Sequence, residues 1–439
     1  MDFSSIVRGI IGLLFVTLLA YLFSNNKKAI NWNLVGTGII LQFVFAFLVV
    51  KTDVGRSLFS GISKLFVALF NFAGDGAQFV FGSLGKGFGE GSLGFFFAFQ
   101  VLPTVIFFAS FTTVLYYLGI LQRIVQGMAW LMQRFMKTSG AETLSVATST
   151  FVGQTEAPLV VRPYLPSLTE SELFTIMVSG MAHIAGGVMA AYMQMLGVAF
   201  AKASGTPIGQ SQIFFAGHLL AASIMALPAT FVVAKILIPE TGDPLTKGTV
   251  RVKYERIHSS IIEAAAGGAS DGVRLAINIA GMLIAFIAII ALVNALLGWV
   301  GDVSGLNATL MANFQKPLSL ELLFGFVFQF IAYGIGVPWK DALNVGSLMG
   351  IKLVVNEFVG YLKMSEVVAT GVLSTKSIVI ATYALCGFAN FSSIAIQIGG
   401  LSPLAENRRG DIARLGLRAV LGGTIATWMT ASIAGLLTN

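Results

Sequence analysis

Two carboxylates stand where water is scarce. Glu156 follows Gly153, Gln154 and Thr155 inside an apolar stretch from Glu142 to Leu165, and Glu357 follows Asn356 inside a second stretch from Val345 to Leu362. An ionisable group at mid-membrane depth costs at least about 2.5–3.5 kcal/mol, so each needs a partner or a water-filled cavity. Beside each acid sits an amide, Gln154 or Asn356. A carboxylate with an amide supplies both acceptors and donors, which suits a small, hydroxyl-rich ligand better than it suits a helix-packing pair. A third polar group, His183, lies in Gly180-Met181-Ala182-His183-Ile184-Ala185. An imidazole titrates near neutral pH, so at a helix break open alternately to two compartments it can take up and release a proton. Its plain alternative is a satisfied core histidine.

Lipid must be the solvent of the elements that hold these groups. Of 439 residues, 56% are hydrophobic and 11% charged, with a mean hydropathy of +0.84, whereas soluble domains carry about a quarter charged residues. A crossing helix needs about 20 apolar residues. Runs at Gly9–Phe23, Leu34–Val50, Phe95–Leu121, Leu173–Phe200, Ile213–Ile236, Val273–Val300, Ser377–Leu401 and Leu415–Leu437 give eight predicted spans. The two acid-bearing stretches resist this reading, because polar residues and Pro occupy their middles; re-entrant helical hairpins resolve the conflict. An amphipathic stretch, Leu58 to Phe72, and a glycine-rich run from Gly74 to Gly94, too irregular to span, are expected at the outer interface. Leu320 to Val337 is also placed at an interface, since counting it as a span breaks the charge pattern downstream.

That pattern concerns orientation. Lys27/Lys28, Arg123/Arg134/Lys137, Lys247/Arg251/Lys253/Arg256 and Arg408/Arg409/Arg414 fall on one side, the cytoplasm, if the N-terminus faces outward. The net charge of +7 therefore marks topology; no basic stripe beside aromatic residues points to nucleic acid. The first apolar run meets Asn25, Asn26, Lys27 and Lys28 without a small-residue cleavage pattern and is expected to be a retained helix. A single cysteine, Cys386, permits neither an intrachain disulfide nor a Cys-rich metal site, so no redox cofactor is expected.

The polar passages repeat. Gly153-Gln154-Thr155-Glu156 precedes the Gly180–Ala185 break, and Val355-Asn356-Glu357-Phe358 precedes Gly387-Phe388-Ala389-Asn390-Phe391-Ser392. Each half thus places an acidic hairpin tip before a Gly-x-Ala break in a membrane helix, the plan of inverted-repeat secondary transporters.

Together with Ala157-Pro158-Leu159, Val359, Cys386, Ser393-Ile394, Gly74-Asp75-Gly76 and Arg408-Arg409-Gly410-Asp411-Ile412, these passages resemble the concentrative nucleoside transporters over nearly the whole chain. The resemblance implies a homotrimer in a bacterial inner membrane, with scaffold and transport domains and elevator-type alternating access. On that pattern residues 1–137 are scaffold, 138–240 the first transport half, 241–344 a cytoplasmic loop with a scaffold and an interfacial helix, and 345–439 the second transport half. It implies that Gln154, Thr155, Glu156 and Val188 receive the nucleobase. Glu357, Asn390 and Ser393 would bond the ribose while Phe388 packs on the ligand.

The coupling ion is where the chain departs from the pattern. Sodium-coupled members resembling it carry Asn at the position of Ser149 and a small hydroxyl residue at that of His183, with backbone oxygens of Val152 and Ile184 completing the site. Sodium prefers oxygen to imidazole, and proton-coupled branches resembling this chain carry serine at the first position, so H⁺ is favoured over Na⁺. The one metal ion left open is Na⁺ at Ser149, Val152 and Ile184. One charge moving down 100 mV supplies about 2.3 kcal/mol, enough to concentrate a substrate. Two further readings need separate discriminators. An intramembrane hydrolase using Ser149 and His183 would form product; a passive channel would show no uphill uptake.

Overall fold

The structure is a computed structural model that describes residues 3–86, 93–247 and 259–438. Arg251, Lys253, Arg256 and His258, and the stretch 87–92 of the glycine-rich run, lie outside the described residues. Every regular element in the described chain is helical. The order is α1 (Phe3–Leu22), α2 (Trp32–Lys51), α3 (Asp53–Phe81), α4 (Phe97–Gln100), α5 (Leu102–Tyr117), α6 (Ile120–Met136), α7 (Gly140–Ser149), α8 (Glu170–Ala182) and α9 (Gly186–Ser204). There follow α10 (Ile208–Leu237), α11 (Ile261–Val303), α12 (Leu306–Phe314), α13 (Leu320–Gly334), α14 (Trp339–Val354), α15 (Glu357–Ala369), α16 (Thr375–Leu385), α17 (Phe391–Leu401) and α18 (Arg409–Leu437).

Among the described residues seven helical stretches are long and apolar enough to cross a membrane, or eight if the bent pair α13–α14 is one span. Six of them fall on expected spans. The expected first span is the shorter α1, apolar over Val7–Leu22. The expected seventh, Ser377–Leu401, is two short helices, α16 and α17, separated at Cys386–Asn390.

α3 runs further into the glycine-rich stretch than the sequence led us to expect. The stretch from Leu58 and the first part of the glycine run form one helix to Phe81, and Ser57–Leu84 is apolar and long enough to span. Gly74 and Gly76 each cost about 1 kcal/mol of helix stability relative to Ala, yet they do not break it. Ser63, Phe70, Ala73 and Ala77 recur along one face and are buried, against α2, α5 and α10, so tertiary packing overrides the local propensity. α6 is a second element hidden behind its charges. Arg123 and Arg134 ride on a helix whose other face buries Leu121, Val125, Ala129, Met132 and Met136 at helical spacing. At Leu320–Val337 the structure has α13, which bends by 118° into α14.

The centre of the molecule is made by α8–α10, α14–α16 and α18; α10 and α18 are buried along nearly their whole inner length. α11 behaves differently. It is 43 residues long, and its buried stripe is Ala264, Gly268, Gly272, Ala276, Ile279 and Leu283. A Cβ on Gly268 or Gly272 would stand 2.6 Å from Thr113 Oγ1 or 2.7 Å from Ile106 Cα of α5, so small residues set this close approach. Ile277, Ile284, Leu292 and Trp299 on its other faces are exposed.

Candidate functional site

Each half of the chain builds a hairpin and then a broken helix. In the first, α7 ends at Ser149, the chain turns through Thr150–Glu156, and it returns in 3-10 turns at Ala157–Val161 and Leu165–Ser167. Pro158 and Pro166 open those turns, where a missing N–H is tolerated. A Cβ on Gly153 would stand 2.2 Å from Glu156 Oε2, the end of an exposed side chain that can swing aside. In the second, α14 ends at Val354, Val355 and Asn356 make the tip, and α15 returns as a regular helix. Asn356 starts that helix by accepting from Val359 N at 2.9 Å, an N-cap bond.

The broken helices meet these tips. α8 stops at Ala182 and α9 resumes at Gly186, leaving His183–Ala185 unwound; α16 stops at Leu385, and Asn390 caps α17 by accepting from Ser393 N at 2.9 Å. The two breaks touch: Phe388 N donates to His183 O at 3.2 Å. The first tip reaches its own break, with Gly186 N donating to Phe151 O at 3.2 Å.

Side chains knit the second break to both tips. Gln154 Nε2 donates to Ser393 Oγ at 3.2 Å. Glu357 accepts from Asn390 Nδ2 at 3.0 Å and from Tyr192 OH at 3.1 Å. Thr155 lies over Gly400 of α17, where a Cβ would be 2.5 Å from Thr155 Cγ2, and Gly180 leaves room for Gln154 and Gln397. Val188 is buried in the first turn of α9, and Phe388 is half-buried. The structure thus brings together Gln154, Ser393, Asn390 and Glu357. Glu156 stands apart: it is exposed, and its side chain makes no hydrogen bond among the described residues. Gln154 Oε1 and Asn356 Nδ2 are buried without a partner. Such groups cost about 1–3 kcal/mol each unless paired, so a polar ligand reaching both tips would be recognised by what it satisfies.

The four residues predicted for the coupling ion lie on the first hairpin, Ser149 and Val152, and in the first break, His183 and Ile184, two segments that meet through Gly186 N and Phe151 O. Ser149 is buried and donates to Ser145 O at 3.1 Å. Val152 is at the tip, half-buried, and Ile184 is fully buried in the first break. His183 Nδ1 lies 2.9 Å from Ser179 O. A carbonyl can only accept, so Nδ1 carries the proton and Nε2 the lone pair in the neutral ring; Nε2 is buried and unpartnered. Ser149 and His183 share no hydrogen bond among the described residues, so the nucleophile and base that the hydrolase reading needs are not assembled. His218 sits elsewhere, against Phe214 and Tyr383. No group of three or more His, Cys, Asp or Glu side chains among the described residues could hold a metal.

Sequence reasoning missed two residues. Tyr192 stacks on Tyr361 at 4.1 Å between ring centroids and holds Glu357 from 165 positions away; no local pattern reports such a contact. Lys352 did carry a signal, being a cation inside an apolar hairpin, as Glu357 is an anion.

The fold and these residues have relatives. Residues 11–84 match the family described as Na⁺ dependent nucleoside transporter N-terminus, 98–199 that described as nucleoside recognition, and 218–435 the Na⁺ dependent nucleoside transporter C-terminus. The chain is 38% identical over 442 residues to the nucleoside permease NupC of Helicobacter pylori, covering 99% of this chain and 98% of that one. It is 40% identical to the mouse solute carrier family 28 member 3, covering 98% of this chain and 58% of that longer protein. A solved structure of CNTnw in an inward-facing substrate-bound state superposes with a TM-score of 0.85 at 38% identity, over 99% of this chain and 98% of that chain. A substituted CNTnw in an outward-facing state gives 0.87 at 38% identity, with the same coverage. These relatives are transporters and not enzymes. With hairpin tips meeting broken helices twice over and similarity along its whole length, the chain belongs to the concentrative nucleoside transporter family of integral membrane proteins.

Proposed function

We propose that this protein is a secondary active symporter that imports nucleosides across a bacterial inner membrane, driven by a cation gradient, with H⁺ favoured over Na⁺. The observation that carries the nucleoside site is the Glu357 carboxylate held by Asn390 and Tyr192 beside the Gln154–Ser393 bond. That arrangement places donors and acceptors where the two hairpins and the second broken helix converge. Glu357, Asn390 and Ser393 take the sugar hydroxyls, and Phe388 packs on the ligand. Gln154 and Thr155, with Val188, face the base, and Glu156, exposed beside them, contributes least of this set. Buried groups stripped of water penalise a ligand that leaves them unpaired, so the site selects for ribose hydroxyls. Ser149, Val152, His183 and Ile184 form the coupling site, and the unpartnered His183 Nε2 supports a proton as the ion. The N-terminus faces outward. The assembly is a homotrimer in lipid whose transport halves, 138–240 and 345–439, move as an elevator against the scaffold.

Radiolabelled uridine uptake into proteoliposomes tests this. An inward H⁺ gradient alone is expected to drive accumulation at matched potential, and His183→Ala to flatten its pH response while changing substrate affinity less. Accumulation that requires Na⁺ overturns the proton assignment and returns His183 to a structural role. Uptake that never exceeds equilibrium would make the protein a passive pore.

A further inference from the structure

Lys352 is a lysine with 2% exposure on the last turn of α14, the arm that leads into the second hairpin tip. Its Nζ donates to Ala384 O at 2.8 Å and to Thr427 Oγ1 at 3.0 Å. Both partners are informative. Ala384 is the penultimate residue of α16. In an uninterrupted helix its carbonyl would accept from the amide four residues on, that of Phe388. The break sends that amide to His183 O instead, so Ala384 O is an orphan of the broken end, and the ammonium takes the place of the missing donor. A cation at a helix C-terminus also suits the dipole. Thr427 belongs to α18 and passes its own proton to Thr424 O at 2.9 Å. Lys352 therefore ties the second hairpin to the broken helix and to α18 at the depth of the break. Glu357 opens the other arm of the same hairpin, five positions on, and neither buried charge has a direct ion-pair partner among the described residues.

We propose that Lys352 is a positioning residue for ribose-hydroxyl recognition: it caps the broken end of α16, compensates the charge of Glu357, and so keeps Asn390 and Glu357 in register. This rests on the reading that Glu357 and Asn390 bind the sugar. A residue that merely held helices together would act on all substrates alike, whereas this one acts on those that carry the hydroxyls.

The test compares uptake of uridine with uptake of dideoxyuridine, which lacks the ribose-ring hydroxyls, in proteoliposomes. Lys352→Met is expected to raise the uridine KM about tenfold or more and the dideoxyuridine KM less than about threefold. Added to Glu357→Gln, it should change the uridine KM by less than about threefold, because the two residues act as a unit. An equal rise for both substrates, or full additivity with Glu357→Gln, overturns the proposal. Should Lys352→Met fail to fold, Thr427→Val, which removes one acceptor and keeps the ammonium, must show the same substrate split at about threefold; an even effect overturns it. A wild-type protein that accumulates no nucleoside sinks the transport reading itself, and this inference with it. A wild type that does so while the variants act evenly sinks only the role of Lys352.

Discussion

The two hairpins answer the same architectural need in opposite ways. The first is secured at its base. Lys235 of α10 pairs with Glu142 of α7 at 2.7 Å and also bonds Ser171 of α8 at 3.0 Å; Glu142 in turn caps its own helix through Ser139 N. Its far end returns in 3-10 turns, and its acid, Glu156, is exposed, while Gln154 and Phe151 bond the two breaks. The second is secured at its tip. Lys352 lies five positions before Glu357 and grips α16 and α18, while Glu357 is buried between Tyr192 and Asn390. The difference teaches that a repeated topology does not imply repeated mechanics. The first hairpin carries its buried ion pair at the root and an exposed acid at the tip, whereas the second carries its buried charges at the tip.

The strongest way to break that comparison is at the root of the first hairpin. Lys235→Met leaves Glu142 as an uncompensated buried charge, which costs about 3–5 kcal/mol. A large fall in thermal stability in detergent is expected, with partial recovery when Glu142→Gln is added. Unchanged stability would mean that the base is not the anchor.

Next comes the contrast between the two acids. Glu357→Gln turns a buried acceptor with two donors into an amide, so uridine uptake efficiency should fall about ten- to a hundredfold. Glu156→Gln, at an exposed position, should cost no more than about threefold by the same reasoning. Equal losses from the two substitutions would erase the distinction drawn between the tips.

The smallest effect sharpens the picture. Tyr192→Phe removes one hydrogen bond to Glu357 and keeps the stacking on Tyr361 and the edge contact with Phe358. About 1 kcal/mol, or roughly fivefold in uridine KM, is expected. No change would mean that Asn390 alone orients the carboxylate.

What the sequence made legible follows from these contrasts. Polar residues inside apolar stretches betray a local conflict, and that conflict located both hairpins and, through Gly-x-Ala, both breaks. Glu142 illustrates the limit: it reads as the edge of an apolar stretch, and its role depends on Lys235, brought from 93 positions away by the fold. Tyr192 is the same case, an aromatic residue in an apolar helix until Glu357 arrives beside it. Where a helix survived its own glycines, as in α3, or wore its charges on one face, as in α6, the pattern misled because packing against neighbours decides the outcome. The division into scaffold and moving halves is a statement about relative motion, and no run of residues encodes it locally.

One backbone contact joins what the residue roles keep apart. The amide of Phe388, on the ribose side, donates to the carbonyl of His183, on the ion side, and the two chains cross so closely there that a Cβ on Gly387 would stand 2.8 Å from Met181 O. Such a crossing acts as a riveted joint: neither break can shear past the other without losing the bond. On the proposed roles, a displacement on the ion side would reach the ribose side through this hydrogen bond and through the Gln154–Ser393 bond beside it.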